Sequence, residues 1–319
     1  MFRLSRRAFA AGVAAFPFLG NRAEAAAVNT RSLQRVMSHG RFVAYQPTAL
    51  KAVNGVLTHA DDASIRSDLE TLRPWFDGLI TYGAYNGNER VPDIAARLGF
   101  HAVIVGVWDP ADATEVGNAI DAWRRNPKLV AGLSLGNEIV FGKRGSWDSL
   151  HRQLEAVRAE APGLPLAIAE PFAEYTDFPE ARPVLAATDF MLANIHPVFE
   201  PWFKSATADN WTDFVVRVVK RLEAIYAKPI LVKETGVPTG PPSAGFNPEM
   251  QRAFYDLLAE RLKPSRRRAF AYFTAFDEPW RPGDFNPTPG LHPEEAYWGL
   301  FTEARQPKPV MADIPRLAR

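Results

Sequence analysis

The sequence contains no cysteine, and this absence excludes several kinds of chemistry at once. Without a thiol, the chain can form no disulfide, no thiolate metal site and no covalent intermediate on sulfur. The six histidines are scattered along the chain and show none of the spacings typical of a metal centre. We therefore predict that the protein binds no metal.

The sequence also has almost no net charge and no long hydrophobic run. Lysine and arginine number 37 and aspartate and glutamate 36, so the formal charge of +1 gives no reason to expect a nucleic-acid partner. The apolar run at 10–19 is too short to cross a bilayer comfortably, and we expect no membrane span in the mature protein. No G-x-G-x-x-G motif follows the first predicted strand, which argues against a dinucleotide-binding fold.

The N-terminal residues have the order of features found in an export signal. Ser5-Arg6-Arg7-Ala8-Phe9 has the S-R-R-x-F form of a twin-arginine signal, and the apolar run follows it directly. Ala23-Glu24-Ala25 then resembles a signal-peptidase site. We predict that residues 1–26 are a twin-arginine signal, that 27–319 form one domain, and that the protein is periplasmic or secreted. The alternative is that the basic residues simply begin a first helix.

From residue 41 onwards, short apolar runs alternate with amphipathic helical stretches. The eight runs predicted to be strands lie at 41–46, 78–83, 102–108, 130–136, 164–169, 190–195, 229–233 and 269–276. Most are apolar throughout, as strands buried on both faces are. Strands that alternate with helices form parallel sheets, and eight of them in a chain of this length favour a closed barrel. We predict an α/β protein with a single (β/α)8 TIM barrel.

Two glutamates directly follow predicted strands. Glu138 comes after the fourth strand and Glu234 after the seventh, so both would lie at the barrel mouth, where TIM-barrel enzymes place their catalytic residues. Glycoside hydrolysis needs such a pair, one as acid/base and one as nucleophile, about 5–5.5 Å apart in retaining enzymes. Either glutamate alone could instead be a helix cap or a surface charge. Lys233 precedes Glu234, but alternation along a strand would turn it the other way, so we do not expect it to be the charge partner.

These segments and three further motifs resemble glycoside hydrolase family 17, the β-1,3-glucanases and their relatives, in particular its bacterial branch. The family's nucleophile motif reads roughly E-[ST]-G-W-P-[ST], and this chain has E-T-G-V-P-T from Glu234 to Thr239. The further motifs are Asn194-Ile195-His196-Pro197 for strand six, Phe276-Asp277-Glu278-Pro279-Trp280 for strand eight, and Tyr297-Trp298-Gly299-Leu300-Phe301 for the closing segment. The resemblance extends over about residues 40–305.

The resemblance implies a role for each matching residue. Glu138 would be the acid/base and Glu234 the nucleophile. The substrate-binding residues would be Asn137 (on the sugar 2-hydroxyl), Tyr45, Tyr82, Asn194, His196, Glu278 and Trp280. Candidate stacking platforms for sugar rings are Trp108, Phe199, Trp202 and Trp280. Tyr45 and Tyr82 could instead pack the barrel rim, and His196 could serve only to shape its loop. Glu170, after strand five, is either a substrate contact or a loop anchor.

Two positions depart from the family pattern. Ile80 stands where an arginine two residues before Tyr82 is usual, and Val237 stands where the tryptophan after the nucleophile's glycine is usual. The first change removes a possible electrostatic support for the nucleophile, and the second alters the aromatic surface beside it. Neither affects the two carboxylates, so the expected reaction class is unchanged.

We therefore expect a retaining β-glycosidase that acts on β-1,3-glucan or a related β-glucan, without a cofactor and as a monomer. A β-glucan transglycosylase would use the same two glutamates, because only the acceptor differs. A barrel glycosidase of a sister family, acting on β-1,4-mannan or galactan, and a non-catalytic carbohydrate-binding barrel are the remaining alternatives.

Overall fold

Eight parallel strands form a closed barrel in the computed structural model, which describes residues 28–54, 56–284 and 292–318. The predicted export signal, 1–26, lies outside the described residues. The barrel strands are β1 (Phe42–Ala44), β4 (Gly78–Ile80), β5 (Ala102–Val107), β6 (Val130–Asn137), β7 (Leu166–Pro171), β8 (Met191–Asn194), β9 (Ile230–Glu234) and β10 (Arg268–Tyr272). They follow one another around the ring in chain order, and β10 closes it against β1. This confirms the predicted TIM barrel.

Helices surround the barrel and connect its strands. They are α1 (Arg31–His39), α2 (Asp62–Leu72), α3 (Val91–Arg97), α4 (Ala113–Arg125), α5 (Trp147–Glu160), α6 (Phe172–Thr176), α7 (Ala181–Ala187), α8 (Ala208–Ile225), α9 (Pro248–Arg261) and α10 (Arg281–Asp284). Side-chain caps start several of them: Asp61 accepts from the Ser64 N–H, and Asn247 accepts from the Met250 N–H. Such caps fix where each helix leaves its loop.

The predicted strands agree with the structure in position but not always in length. The fifth barrel strand runs to Pro171, two residues beyond its predicted end, and the first is shorter than predicted. A two-stranded antiparallel hairpin, β2 (Ala52–Val53) with β3 (Val56–Leu57), lies in the loop after β1 and was not predicted. Among the described helices, no segment is both long enough and apolar enough to cross a bilayer.

The barrel encloses an apolar interior that is closed at its N-terminal end by α1. Leu33, Val36 and Met37 of this helix are buried against side chains of the strands that point inward. Those inward-facing residues are Phe42, Ile80, Ala102, Ile104, Ala131, Ala167, Ala169, Phe190, Leu192, Leu231, Ala269 and Ala271. The polar mouth therefore lies at the opposite end, where the strands terminate in the predicted site residues.

We predict that α1 is an integral part of the core. Leu33→Ala removes a fully buried side chain from the closed end of the barrel and should lower the free energy of unfolding by about 2–5 kcal/mol. Urea unfolding measures this, with Arg35→Ala on the exposed face of α1 as the control, expected to change stability by about 0.5 kcal/mol or less. Equal stabilities of the two variants would contradict the assignment of α1 to the core.

Candidate active site

The strand that ends at Glu234 and the strand that ends just before Glu138 each contain an irregularity of register. On β9, Ala193 of β8 pairs with Val232, but Asn194 pairs with Glu234, so Lys233 is an extra residue. On β6, Ser134 pairs with Ala167 and Asn137 with Ala169, so one extra residue is accommodated near Gly136, which has a positive φ of 84°. Bulges break the alternation of side chains and redirect them. The bulged ends of β6 and β9 therefore direct both glutamates towards the mouth of the barrel.

Glu138 is held in an unusual backbone conformation beside β7 and β8. Its φ is 55°, and its N–H donates to the Ala169 carbonyl over 2.8 Å. Its Oε1 accepts from the amide nitrogen of Asn194 over 2.8 Å. Burial, and then the negative charge of Glu234, raises the pKa of Glu138 above its ordinary value. The arrangement favours a carboxylic acid that can give up a proton.

Glu234 has the opposite electrostatic environment, and here the expectation for Lys233 was wrong. Burial alone would raise the pKa of Glu234, but the Lys233 ammonium and His196 outweigh it and hold that pKa well below the usual range. The Lys233 Nζ lies 2.7 Å from Glu234 Oε1, so it is the charge partner. The strict alternation that argued against this pairing is interrupted by the extra residue in β9.

A continuous chain of hydrogen bonds links the two carboxylates. From Glu138, it passes to Asn194 over 2.8 Å, from Asn194 to Asn137 Oδ1 over 3.3 Å, and from Asn137 Oδ1 to Lys233 over 2.6 Å, ending at Glu234. These five side chains lie at or just after the ends of β6, β8 and β9 and therefore form one site. Sequence reasoning placed Asn137 and Asn194 in this site and left out Lys233. A lysine in an otherwise apolar, doubly buried strand was the available signal, because such a charge needs a partner.

The two predicted tyrosines occupy different environments. The Tyr82 ring lies under Lys233, with Nζ 3.9 Å from its centroid. Burial raises the pKa of the Tyr82 hydroxyl, and the nearby negative charge of Glu234 raises it further. Tyr45 is fully buried and donates its hydroxyl to Asp68 over 2.9 Å. The structure thus brings Tyr82 to the carboxylates, whereas the Tyr45 hydroxyl is bonded to Asp68 beneath the rim.

His196 lies on the other side of Glu234, among aromatic rings. Its Nε2 is 3.4 Å from Glu234 Oε2, and its ring packs edge-on against Phe199, Phe273 and Trp298 at centroid distances of 5.2–5.4 Å. The ring is therefore fixed in place beside the carboxylate. Its Nδ1 is buried without a hydrogen-bond partner among the described residues.

The loop after β10 brings a second group of charges to the mouth. Arg281 pairs with Glu278 over 3.1 Å and with Glu295 over 3.2 Å, and it lies near enough to Glu234 and Tyr82 to interact with them electrostatically. Trp280 is half-buried next to this group. Sequence reasoning identified Glu278 and Trp280 but missed Arg281, for which the motif gave no signal.

The candidate stacking platforms for sugar rings differ in their exposure. Trp108 and Phe199 are 39% and 58% exposed on the mouth side of the barrel, whereas Trp202 packs against Phe214 of α8 at 5.3 Å. The guanidinium of Arg144 lies 4.4 Å from the Trp108 ring centroid. Phe141, three residues after Glu138, is 56% exposed and was not predicted.

Glu170 is placed as a loop anchor. Its two oxygens accept from the backbone N–H groups of Val140 and Phe141 over 2.9 and 3.2 Å, which fixes the loop after Glu138. Burial raises the pKa of Glu170 to about 7, and these backbone bonds oppose that rise. These contacts are the ones expected of a loop anchor, which was one of the two roles predicted for Glu170.

The two departures from the family pattern are both buried. Ile80 points into the apolar interior of the barrel, and Val237 is fully buried. The cation beside the nucleophile candidate comes instead from β9, through Lys233. Within the described ranges, no group of three or more histidine, aspartate or glutamate side chains is arranged to hold a metal ion.

The chain is similar to several known proteins. Residues 43–299 match the model of the BtgE/BtgC glycoside hydrolase domain. A glucan 1,3-β-glucosidase of Arthroderma benhamiae is 24% identical over 263 residues, covering 78% of this chain and 84% of that enzyme. The structure also resembles a glycoside hydrolase family 17 β-1,3-glucanosyltransferase of Rhizomucor miehei, with a TM-score of 0.63 and 22% identity over 86% of this chain and 96% of that one. An active-site mutant of that Rhizomucor enzyme, in complex with laminaritriose, gives a TM-score of 0.64 at 21% identity and the same coverage.

The anchoring contacts of Glu170 predict a local effect of its removal. Glu170→Ala leaves two backbone donors without their acceptor and should cost about 1–3 kcal/mol of unfolding free energy. Hydrogen exchange at the Val140 and Phe141 amides should become faster at the same time. Glu174→Ala, on α6, is the matched control and should leave both amides protected. Unchanged exchange in Glu170→Ala would show that the loop is held by other contacts.

Proposed function

This chain belongs to the family of BtgE/BtgC glycoside hydrolase domains, and on that basis we propose that it is a retaining enzyme of β-1,3-glucan or a closely related β-glucan. The names of the Arthroderma and Rhizomucor enzymes support this linkage, as does the laminaritriose bound to the Rhizomucor mutant. The single observation that carries the proposal is the linked pair of Glu138 and Glu234, whose pKa values are shifted in opposite directions.

In the proposed first step, Glu138 acts as the acid and Glu234 as the nucleophile. The bond from the anomeric carbon to the leaving oxygen breaks, the Glu138 proton passes to that oxygen, and a Glu234 oxygen bonds to the anomeric carbon. Asn137 would contact the sugar 2-hydroxyl with its amide nitrogen, because its oxygen already accepts from Lys233 and Asn194.

In the second step, an acceptor hydroxyl replaces Glu234 and gives its proton to Glu138. Esterification of Glu234 removes the charge that helps to raise the pKa of Glu138, so that Glu138 can now act as a base. Water as the acceptor gives hydrolysis, and a sugar hydroxyl gives transfer.

Transfer to a second glucan is favoured by one observation. Phe141 lies three residues after Glu138, and Arg144 of the same loop stacks on the ring of Trp108, which follows β5, and donates to the Asn137 and Trp108 carbonyls. Because Glu138 protonates the leaving group, aromatic rings beside it would flank the leaving or accepting sugar. A sugar held there would compete with water for the intermediate.

Product analysis tests the proposal. We expect a β-1,3-gluco-oligosaccharide of defined length to give shorter products, accompanied by longer ones if sugar acceptors compete with water. Mass spectrometry after incubation with the protein distinguishes the two. Glu138→Gln should lose at least about 100-fold in rate on this unactivated substrate.

The matched control is Glu155→Gln, on the exposed face of α5, which should retain the wild-type rate. A folded wild-type protein that leaves β-1,3-glucans intact but cleaves β-1,4-mannan or galactan would refute the proposed linkage. Binding without cleavage of any of these glycans would indicate a carbohydrate-binding barrel.

The opposite pKa shifts also predict the pH dependence of kcat/KM. Glu234 must be ionised, and because its pKa is held low, the acid limb should lie below the ordinary glutamate value of about 4.3. Glu138 must be protonated, and because its pKa is raised, activity should persist above that value and fall only as the pH rises through the higher pKa. Initial rates between pH 3 and 9 show whether activity persists on both sides of that value. An acid limb centred above the ordinary glutamate value, or an alkaline limb centred below it, would contradict the assigned environments of the two carboxylates.

A further inference from the structure

Lys233 occupies a position between three residues of the site. Its side chain is 1% exposed, and its Nζ lies 2.7 Å from Glu234 Oε1, 2.6 Å from Asn137 Oδ1 and 3.9 Å from the Tyr82 ring centroid. An ammonium group has three N–H donors, and these three contacts account for them. Lys233 therefore has no donor left for a substrate and can act only through its neighbours.

We propose that Lys233 is a positioning residue for both carboxylate chemistry and sugar recognition, holding the Glu234 carboxylate and the Asn137 amide in their reactive orientations. The proposal rests on the function proposed above.

Its effect on Asn137 follows from the direction of the hydrogen bonds. The two amide atoms of an asparagine cannot be told apart by shape and are assigned from their partners. Two donors, Lys233 Nζ and Asn194 Nδ2, both reach the same atom, so that atom is the oxygen and the NH2 group points away from them. Without the lysine, only the 3.3 Å contact from Asn194 would remain to fix this choice.

Its effect on Glu234 changes during the reaction. When Glu234 bonds to the anomeric carbon, the carboxylate loses its negative charge and leaves a buried ammonium without its counter-charge. In the second step the carbon–oxygen bond to Glu234 breaks, the electron pair returns to the carboxylate, and the ammonium stabilises the charge that develops. Lys233 should therefore accelerate breakdown of the glycosyl-enzyme more than its formation.

Other titratable groups also face Glu234. His196 approaches from the loop after β8, Glu138 from β6, and Arg281 from α10, while Tyr82 lies below from the loop after β4. Arg281 is matched by Glu278 and Glu295. Among the lysines and arginines of the described residues, Lys233 is the one at hydrogen-bond distance from Glu234.

The first test needs no substrate. In protein labelled with ¹³C at the glutamate δ-carbons, and with Glu234 assigned by comparison with Glu234→Gln, Lys233→Met should raise the titration midpoint of Glu234 by about 1–3 pH units. Lys233→Gln keeps a neutral donor and should raise it similarly, and it serves if Lys233→Met does not fold. Lys308→Met is the matched control, since Lys308 is also buried and pairs with Asp277 over 2.7 Å outside the site. A wild-type midpoint in a folded Lys233 variant, or an equal rise in Lys308→Met, would overturn the proposal.

The second test restores the charge chemically. Because the chain has no cysteine, Lys233→Cys introduces a single thiol. Alkylation of the unfolded chain with 2-bromoethylamine, followed by refolding, gives a side chain of nearly lysine length that ends in an ammonium, and iodoacetamide gives a neutral analogue. We expect the first product to regain the low Glu234 midpoint and about 10²-fold in kcat/KM over the second. Equal midpoints in the two products would refute an electrostatic role.

The two tests separate this inference from the proposed function. If the wild-type protein does not act on β-1,3-glucan, the NMR midpoints still decide the role of Lys233. If it does act, single-turnover kinetics should show that the glycosyl-enzyme of Lys233→Gln accumulates. An intermediate that accumulates no more than in the wild type would refute the effect on breakdown.

Discussion

The ion pair between Lys233 and Glu234 lies at the level where the barrel interior changes from apolar to polar side chains. Beneath it, the inward-facing residues are alanine, leucine, isoleucine and phenylalanine. A carboxylate buried there would normally become neutral, and a buried lysine would normally lose its proton. Each charge persists because the other is 2.7 Å away. The orientations of Asn137, Asn194 and Tyr82 are arranged around this pair, so that the polar mouth depends on it.

Three other buried carboxylates hold the loops at the rim of the barrel in place. Asp68 accepts from the Thr48 N–H and from Tyr45, Glu115 accepts from the N–H groups of Ala84, Trp108 and Asp109, and Glu170 accepts from those of Val140 and Phe141. These loops follow different strands, and each has its backbone fixed by an acid that lies outside the loop itself. The rim is thus pinned by backbone contacts, and the side chains of Phe141 and Trp108 are 56% and 39% exposed on it.

Much of this architecture could be predicted from the sequence because its signals are local. Apolar runs separated by amphipathic helices specify a parallel barrel, and a glutamate at the end of a strand is directed to the mouth by topology alone. The position of Lys233 could not be predicted, since regular alternation was assumed and the bulge in β9 is visible only from its pairing with β8. The environment of Tyr45 depends on Asp68, 23 residues away, and that of Glu278 on Arg281 and Glu295. Such partners are set by tertiary structure.

The extra residues in β6 and β9 limit how the lengths of these two strands can change. Loss of one residue from the end of β9 would restore regular alternation and turn either the lysine or the glutamate out of the mouth. The placement of the two glutamates therefore depends on the residue count of these two strand ends as well as on the side chains themselves. The loops that bear Phe141, Trp108 and Arg281 carry no such constraint of register. Insertions in the rim loops can therefore alter which glycans such a barrel accepts, whereas a change of length at the end of β6 or β9 would displace the carboxylates themselves.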